Sequence, residues 1–261
     1  MRCIFCKQNT DKSKSEEHII PASLGNLEHI LPKGIVCDKC NNYFSRKIEK
    51  PLLESFYFLH ARAINKIVTK RGKYPPNDAI HIDSGINVKL IGEKDGWSIS
   101  ASTEQEEERF IKKILTSSKG TIIVPNPMQP SENDKYVLSR FLGKIAIEVL
   151  AQRLIHIKGG LDEVIDKPEL DMLRNYTRRG NQNLIWPYSE RRIYPEEKWF
   201  SSDNGQNYQI LHEYNLLYTP DKETYLVIAI FGIEYAINLA GPTIDGYMKW
   251  IDSNENISFL D

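Results

Sequence analysis

Four cysteines constrain this chain more than anything else in it. All lie within the first forty residues, as Cys3, Cys6, Cys37 and Cys40. They make two Cys-x-x-Cys pairs separated by thirty residues. Each pair can place two thiolates on one tight turn. Two such turns facing each other give a tetrahedral four-sulfur site, the geometry that structural zinc prefers. Disulfides are the alternative, and a reducing cytosol disfavours them. A redox Cys-x-x-Cys is expected as one pair in a thioredoxin-like βαβ context, whereas here two pairs bracket a short polar stretch. The residues point to one structural Zn²⁺. A segment of about fifty residues with few large apolar side chains is marginal by itself, and metal binding adds its free energy to folding.

The rest of the composition is that of an ordinary globular protein, 41% apolar and 26% charged over 261 residues. No run of eighteen apolar residues predicts a membrane span, and Met1–Lys7 lacks the apolar core of a signal peptide. A cytoplasmic protein with no membrane partner is the expectation. The net charge of −1 hides an asymmetry: residues 1–50 hold nine Lys/Arg against six Asp/Glu, an excess of three positive charges that leaves −4 for the other 211 residues. The basic excess lies with the cysteines, where phosphate-binding cations would be needed by a nucleic-acid site.

Between the pairs runs Ser15-Glu16-Glu17-His18-Ile19-Ile20-Pro21-Ala22-Ser23-Leu24-Gly25, and the second pair opens Cys37-Asp38-Lys39-Cys40-Asn41-Asn42-Tyr43-Phe44. A neutral imidazole such as His18 is suited to take a proton from water near neutral pH. A hard divalent cation on oxygen ligands can stabilise a scissile phosphate. Glu17 and Asn41 offer a carboxylate and a carboxamide for such an ion. On an extended strand Glu17 and His18 point to opposite faces; at a bend they converge. Asn41 follows the last cysteine, so zinc would fix its position; capping the following helix is its alternative role.

Cys-x-x-Cys, then Glu-His-Ile-Ile-Pro-x-Ser-Leu-Gly, then Cys-x-x-Cys-Asn-Asn-x-Phe resembles the HNH endonucleases with a ββα-metal finger, most of all the branch bracketed by a four-cysteine zinc site. The resemblance spans residues 3 to about 50. It implies a metal-dependent endonuclease acting on DNA, with His18 as general base. It implies Glu17 and Asn41 as ligands of one catalytic Mg²⁺ or Mn²⁺, Pro21 and Gly25 at the turn between two strands, and a closing helix over about Asn41–Glu49. The family's middle Asn, which orients the base, has no counterpart in Leu31–Val36 just before the second pair; Asn26 and Asn42 are the candidates. Similar chains suggest restriction or antiphage defence. A zinc ribbon that binds nucleic acid or protein without cutting is the competing reading. His29 is a rival base but is expected at the surface. Arg46 and Lys47 on the closing helix are candidate DNA contacts, and Glu49 is expected to be an exposed helix residue.

The fold expected is α+β: the finger in residues 1–50, then a mixed accessory domain in 51–261 with long core helices and a C-terminal antiparallel meander. A sub-boundary is expected near 125–133, which is rich in Pro and Asn. Apolar periodicity predicts a helix from Pro51 to near Gly72, strands over 79–91 and 96–101, a helix capped by Ser102 or Thr103, and a strand over 121–124. A long core helix over about 134–157 follows, then a short helix over 168–175. The meander is expected over 207–218, 223–231 and 233–239, before a short terminal helix over 246–250. The stretch Arg174–Asn181, with Arg178 and Arg179, and the pair Arg191-Arg192 mix basic residues with a tyrosine, which suits a grip on nucleic acid or equally an ordinary basic loop at the surface. DNA binding, homodimerisation or sensing are the roles left for this region.

Overall fold

The computed structural model describes residues 1–26, 28–69, 72–117, 119–125, 131–180, 184–195, 200–201, 207–208 and 211–260. In chain order the elements begin with β1 (Glu17–His18), a 3₁₀ turn at Ala22–Leu24, β2 (Ile30–Leu31) and α1 (Asp38–Phe44). A π-helical stretch, Ser45–Glu49, leads into α2 (Lys50–Glu54) and α3 (Phe56–Ile64). Next come β3 (Pro76–His81), β4 (Ile86–Glu93), β5 (Gly96–Ala101), α4 (Glu104–Leu115) and β6 (Ile122–Ile123). Then follow α5 (Glu132–Leu154), α6 (Gly160–Asp166), a 3₁₀ turn at Pro168–Leu170, and α7 (Asp171–Arg179). The chain closes with β7 (Tyr188–Arg192), β8 (Phe200–Ser201), β9 (Asn207–Tyr208), β10 (His212–Tyr218), β11 (Thr224–Ile230), β12 (Ile233–Asn238) and α8 (Asp245–Ser253). The fold is mixed α+β, and its sheets pair antiparallel.

The chain forms two compact units, and their division differs from the expected one at residue 50. One unit holds residues 1–22, 26–52 and 132–261; the other holds 23–25 and 53–131. The cysteine-bearing segment therefore shares a unit with α5 and everything after it. Side chains explain why. Arg2 pairs with Asp162 and Asp166 of α6, Lys7 with Asp171 of α7, and Arg174 donates to the carbonyls of Ile4 and Val164. Of the candidate linker, residues 126–130 lie outside the described residues.

In the larger unit, α5 is a central helix. Residues 137–149 are all buried, along with Ala151. Gly143 permits its close crossing with α7, since a Cβ there would come within 2.6 Å of Thr177 Oγ1 and 3.0 Å of Leu173 Cδ1. The helix packs on a four-stranded sheet of order β10-β11-β12-β7. β11 is buried on both faces, as its unbroken apolar run predicts. Tyr225 and Val227 meet Tyr247 and Ile251 of α8 in one buried cluster. The hairpin to β12 turns through Phe231 and Gly232, both at positive φ. That is the type I′ geometry whose twist matches paired strands. Strand β7 and helix α6 have no counterpart in the periodicity reading, because each is short and largely polar.

In the smaller unit, the sheet order is β5-β4-β3-β6, with Phe110 of α4 packed on Ala79, Ile86, Val88 and Ala101. Two sequence expectations are corrected here. The run 79–91 is a hairpin, not one strand: the Asp83-Ser84-Gly85 turn divides it, with Gly85 at positive φ and Ser84 Oγ bonded to His81. The helix predicted from Pro51 stops at Ser55, whose extended backbone and Oγ cap restart a separate helix at Phe56.

Candidate active site and zinc centre

The four cysteine sulfurs lie within 4.8 Å of one another. Cys6 Sγ is 3.6 Å from Cys37 Sγ. Zinc–sulfur bonds of about 2.3 Å at tetrahedral angles put sulfurs about 3.8 Å apart, so the set fits one zinc ion. The turns supply N–H···S bonds: Phe5 and Cys37 donate to Cys3 Sγ, and Cys40 donates to Cys37 Sγ. The Cys40 thiol and these amides pull Cys3 down to about 5 against the cost of burial. A thiolate is the form a metal binds.

The second cysteine turn also starts the helix. Cys37 is the N-cap of α1, accepting from the Cys40 N–H. Capping therefore belongs to Cys37, and the helix begins three residues earlier than the expected closing helix. Asn41 is left to bind elsewhere, and its Nδ2 donates to Glu16 O at 3.0 Å. Asp38 accepts from Lys14 N, Ser15 N and Ser15 Oγ. The first turn of α1 is thus stitched to the segment entering β1, where Glu17 and His18 lie.

β1 pairs with β2 in the register Glu17↔Leu31 and His18↔Ile30. Glu17 is buried and His18 half-buried. The loop between the strands is tied by Asn26, which is 0% exposed. Its Nδ2 donates to Ile20 O at 2.6 Å and His29 O at 3.0 Å, and its Oδ1 accepts from Glu28 N and His29 N. Asn42, the other candidate for orienting the base, is exposed on α1. His29 is not a free surface residue: its ring lies edge-on to Tyr214, with centroids 4.9 Å apart.

Glu17 meets a residue that no motif indicated. Its Oε1 lies 2.7 Å from Nζ of Lys144, a fully buried side chain in α5. Glu17 Oε2 is buried and has no hydrogen-bond partner among the described residues. Burial pushes the Glu17 carboxyl up from its ordinary range, and Lys144 opposes that shift. Glu49, expected to be exposed, reaches the same ammonium at 3.0 Å with its side chain 15% exposed. The signal for Lys144 was in the sequence: Arg140, Lys144 and Glu148 recur every four residues in the largely apolar middle of the helix.

Residues 3–57 match the family model described as HNH endonuclease. These residues belong to the HNH endonuclease family. The match takes in all four cysteines, Glu17, His18 and Asn41, and places the segment in the nuclease class of hydrolases. Neither the curated proteins nor the solved structures contain a match to the chain. The HNH segment carries the cysteine cluster of a zinc-bracketed member. Among the described residues, no helix is long and apolar enough to cross a membrane.

Beside the HNH segment, the candidate phosphate contacts fall on neighbouring elements. Arg46 and Lys47 are exposed on the π-helical turn after α1. Arg178 and Arg179 end α7, the first half-buried and the second exposed. Arg140 of α5 spans the two, donating to Tyr43 Oη at 2.7 Å and to Thr177 O at 2.9 Å. Asn181, the last residue of the predicted basic stretch, lies outside the described residues.

Proposed function

We propose that this chain is a metal-dependent DNA endonuclease that hydrolyses phosphodiester bonds, with His18 as the general base. The observation that supports the reading is that the segment matched to the HNH endonuclease model carries His18 on β1 directly after the buried Glu17, with the Asn41 amide tied to the carbonyl of Glu16 just before them. His18 would take a proton from the attacking water. Its half-buried position keeps the imidazole in reach of substrate while the paired strand holds its backbone.

Glu17 and Asn41 would hold the divalent ion, Mg²⁺ or Mn²⁺. A buried carboxylate oxygen without a partner is costly, and Glu17 Oε2 is such an atom. The Asn41 amide is anchored through nitrogen, which leaves its oxygen for a ligand. When bound, the ion would supply positive charge to the scissile phosphate and the leaving oxygen. Arg46, Lys47, Arg178 and Arg179 would contact the backbone phosphates of the duplex, contacts that position rather than specify. Restriction or antiphage defence is the setting in which such an activity is useful.

The test is nicking of supercoiled plasmid with Mg²⁺ or Mn²⁺ by the purified zinc-loaded chain. His18→Ala is expected to lower the rate at least about 100-fold, the usual contribution of a general base, with zinc content and melting temperature retained. EDTA should stop cleavage and added Mn²⁺ restore it. A His18→Ala variant that cuts at the wild-type rate removes the assignment. Tight DNA binding without cleavage by the wild type favours the non-catalytic zinc ribbon.

A further inference from the structure

The polar face of α5 runs against the rest of that helix. Arg140, Lys144 and Glu148 lie one turn apart on a helix whose other central residues are apolar and buried, apart from Ser139. Taking each such charge out of water costs several kcal/mol unless close partners compensate. Arg140 finds Tyr43 of the HNH segment and the C-terminal carbonyls of α7. Lys144 finds more. Its Nζ lies 2.7 Å from Glu17 Oε1, 3.0 Å from Glu49 Oε1 and 3.0 Å from Glu148 Oε2. It also donates to the carbonyl of His18 at 3.1 Å, with that of Ile19 at 3.5 Å.

Glu17 and the two carbonyls belong to three consecutive residues, the two of β1 and the one after it. A two-residue strand has few ladder hydrogen bonds to define where its side chains point. The groups that orient metal ligands are commonly outer-shell partners, and losing one typically costs about 10- to 100-fold in metal affinity or activity. Lys144 has the form of such a partner, although it lies far outside the matched residues 3–57.

We propose that Lys144 is a positioning residue for the nuclease site. It holds Glu17 by one carboxylate oxygen, leaves Oε2 for the divalent ion, and clamps the backbone of His18 and Ile19 so that β1 presents the imidazole. The proposal rests on the nuclease reading above. Glu49 fixes the ammonium from the HNH segment, and Glu148 accepts from it within α5. The HNH site is therefore completed by a helix that the motif does not contain.

The test uses the full zinc-loaded chain and three variants: Lys144→Met, Glu148→Gln and the double variant. The double variant removes one of the carboxylates that Lys144→Met alone would strand. The probes are Mn²⁺ binding followed by electron paramagnetic resonance, amide exchange at Ile19, plasmid nicking at saturating Mn²⁺, zinc content and thermal melting. In the folded, zinc-containing variants lacking Lys144, Mn²⁺ affinity and nicking rate should each fall by about tenfold or more. Exchange at Ile19, whose N–H bonds His29 O across the strand pair, should quicken. Glu148→Gln keeps the Lys144–Glu17 bond and separates the effect of losing the Glu148 carboxyl from that of losing Lys144. A lowered melting temperature with Mn²⁺ affinity, nicking and Ile19 exchange all unchanged would assign Lys144 to stability alone and overturn the proposal. A wild-type chain that neither binds Mn²⁺ nor cuts overturns the nuclease reading and the metal half of this one. Ile19 exchange then decides the clamp by itself: faster in the variants supports it, and unchanged removes it.

Discussion

The Nζ of Lys144 lies 2.7 Å from Oε1 of Glu17, with both side chains buried. The contact joins a helix of the C-terminal region to the strand that carries His18. It places the HNH segment and α5 in one compact unit, and it means that substitutions far from the motif can reach the site. Four further expectations follow from the geometry.

Cys37 belongs to the four-sulfur cluster that fits zinc and is also the N-cap of α1. Serine is a good N-cap but a poor zinc ligand, so Cys37→Ser separates the two roles. Structural zinc contributes about 10–16 kcal/mol in small fingers, as much as a domain's whole margin of about 5–15 kcal/mol. Native mass spectrometry should show the zinc lost, and limited proteolysis should show residues 1–50 opened first. Full zinc occupancy in the variant would mean that Cys37 is not a ligand.

Asn26 satisfies two carbonyls and two amides in the loop between β1 and β2. Asn26→Ala strands all four, at about 1–3 kcal/mol for each group that water cannot reach. Thermal or urea melting should register a loss of about 3 kcal/mol or more, with nicking reduced as the strand pair loosens. Asn42→Ala, on an exposed position, should stay within about 0.5 kcal/mol. Equal effects at the two positions would remove Asn26 as the residue that organises the loop.

Glu148 is fully buried, and burial holds its carboxyl well above its ordinary value of 4.5, with Lys144 opposing. A carboxyl raised in the folded state binds its proton more tightly there than in the unfolded chain. The stabilisation is complete below the ordinary carboxylate range and is lost as pH rises through the folded value. Glu148→Gln has no proton to lose. The melting temperature of the variant relative to wild type should therefore climb as pH rises above the ordinary carboxylate value of 4.5. A difference that stays flat or falls over that range contradicts the raised carboxyl.

Arg46 and Lys47 lie on the HNH segment, while Arg178 and Arg179 end α7. Each phosphate contact contributes about 0.9 to the slope of log affinity against log salt. Paired alanine substitution at 46 and 47, and separately at 178 and 179, should each flatten that slope by about 1 to 2. Fluorescence anisotropy on duplexes of different sequence should show the loss evenly across them. An unchanged slope for the second pair would confine DNA binding to the HNH segment.

Several parts of this structure were legible in the residues. The paired cysteines could be read because metal chemistry demands a fixed ligand type at a fixed short spacing, a local property. The same is true of α5 and β11, whose apolar runs are long enough to have one interpretation. The turn at Gly85 and the cap at Ser55 were missed because a single backbone torsion or hydroxyl outweighed the periodicity around it.

Asn26 and Asn42 are the same residue type beside the same motif, and nothing local distinguishes them. The fold does, by burying one with four hydrogen bonds and leaving the other in solvent. Glu17 carried its motif position openly but not its partner. Glu17, Glu49 and Glu148 converge on Lys144 only once the chain has folded. The sequence by itself determined the four-cysteine cluster and the HNH segment, because those depend on spacing along the chain. Only the tertiary structure decided which asparagine ties the loop and which buried cation holds the carboxylate, because desolvation and ion pairing depend on distances in space.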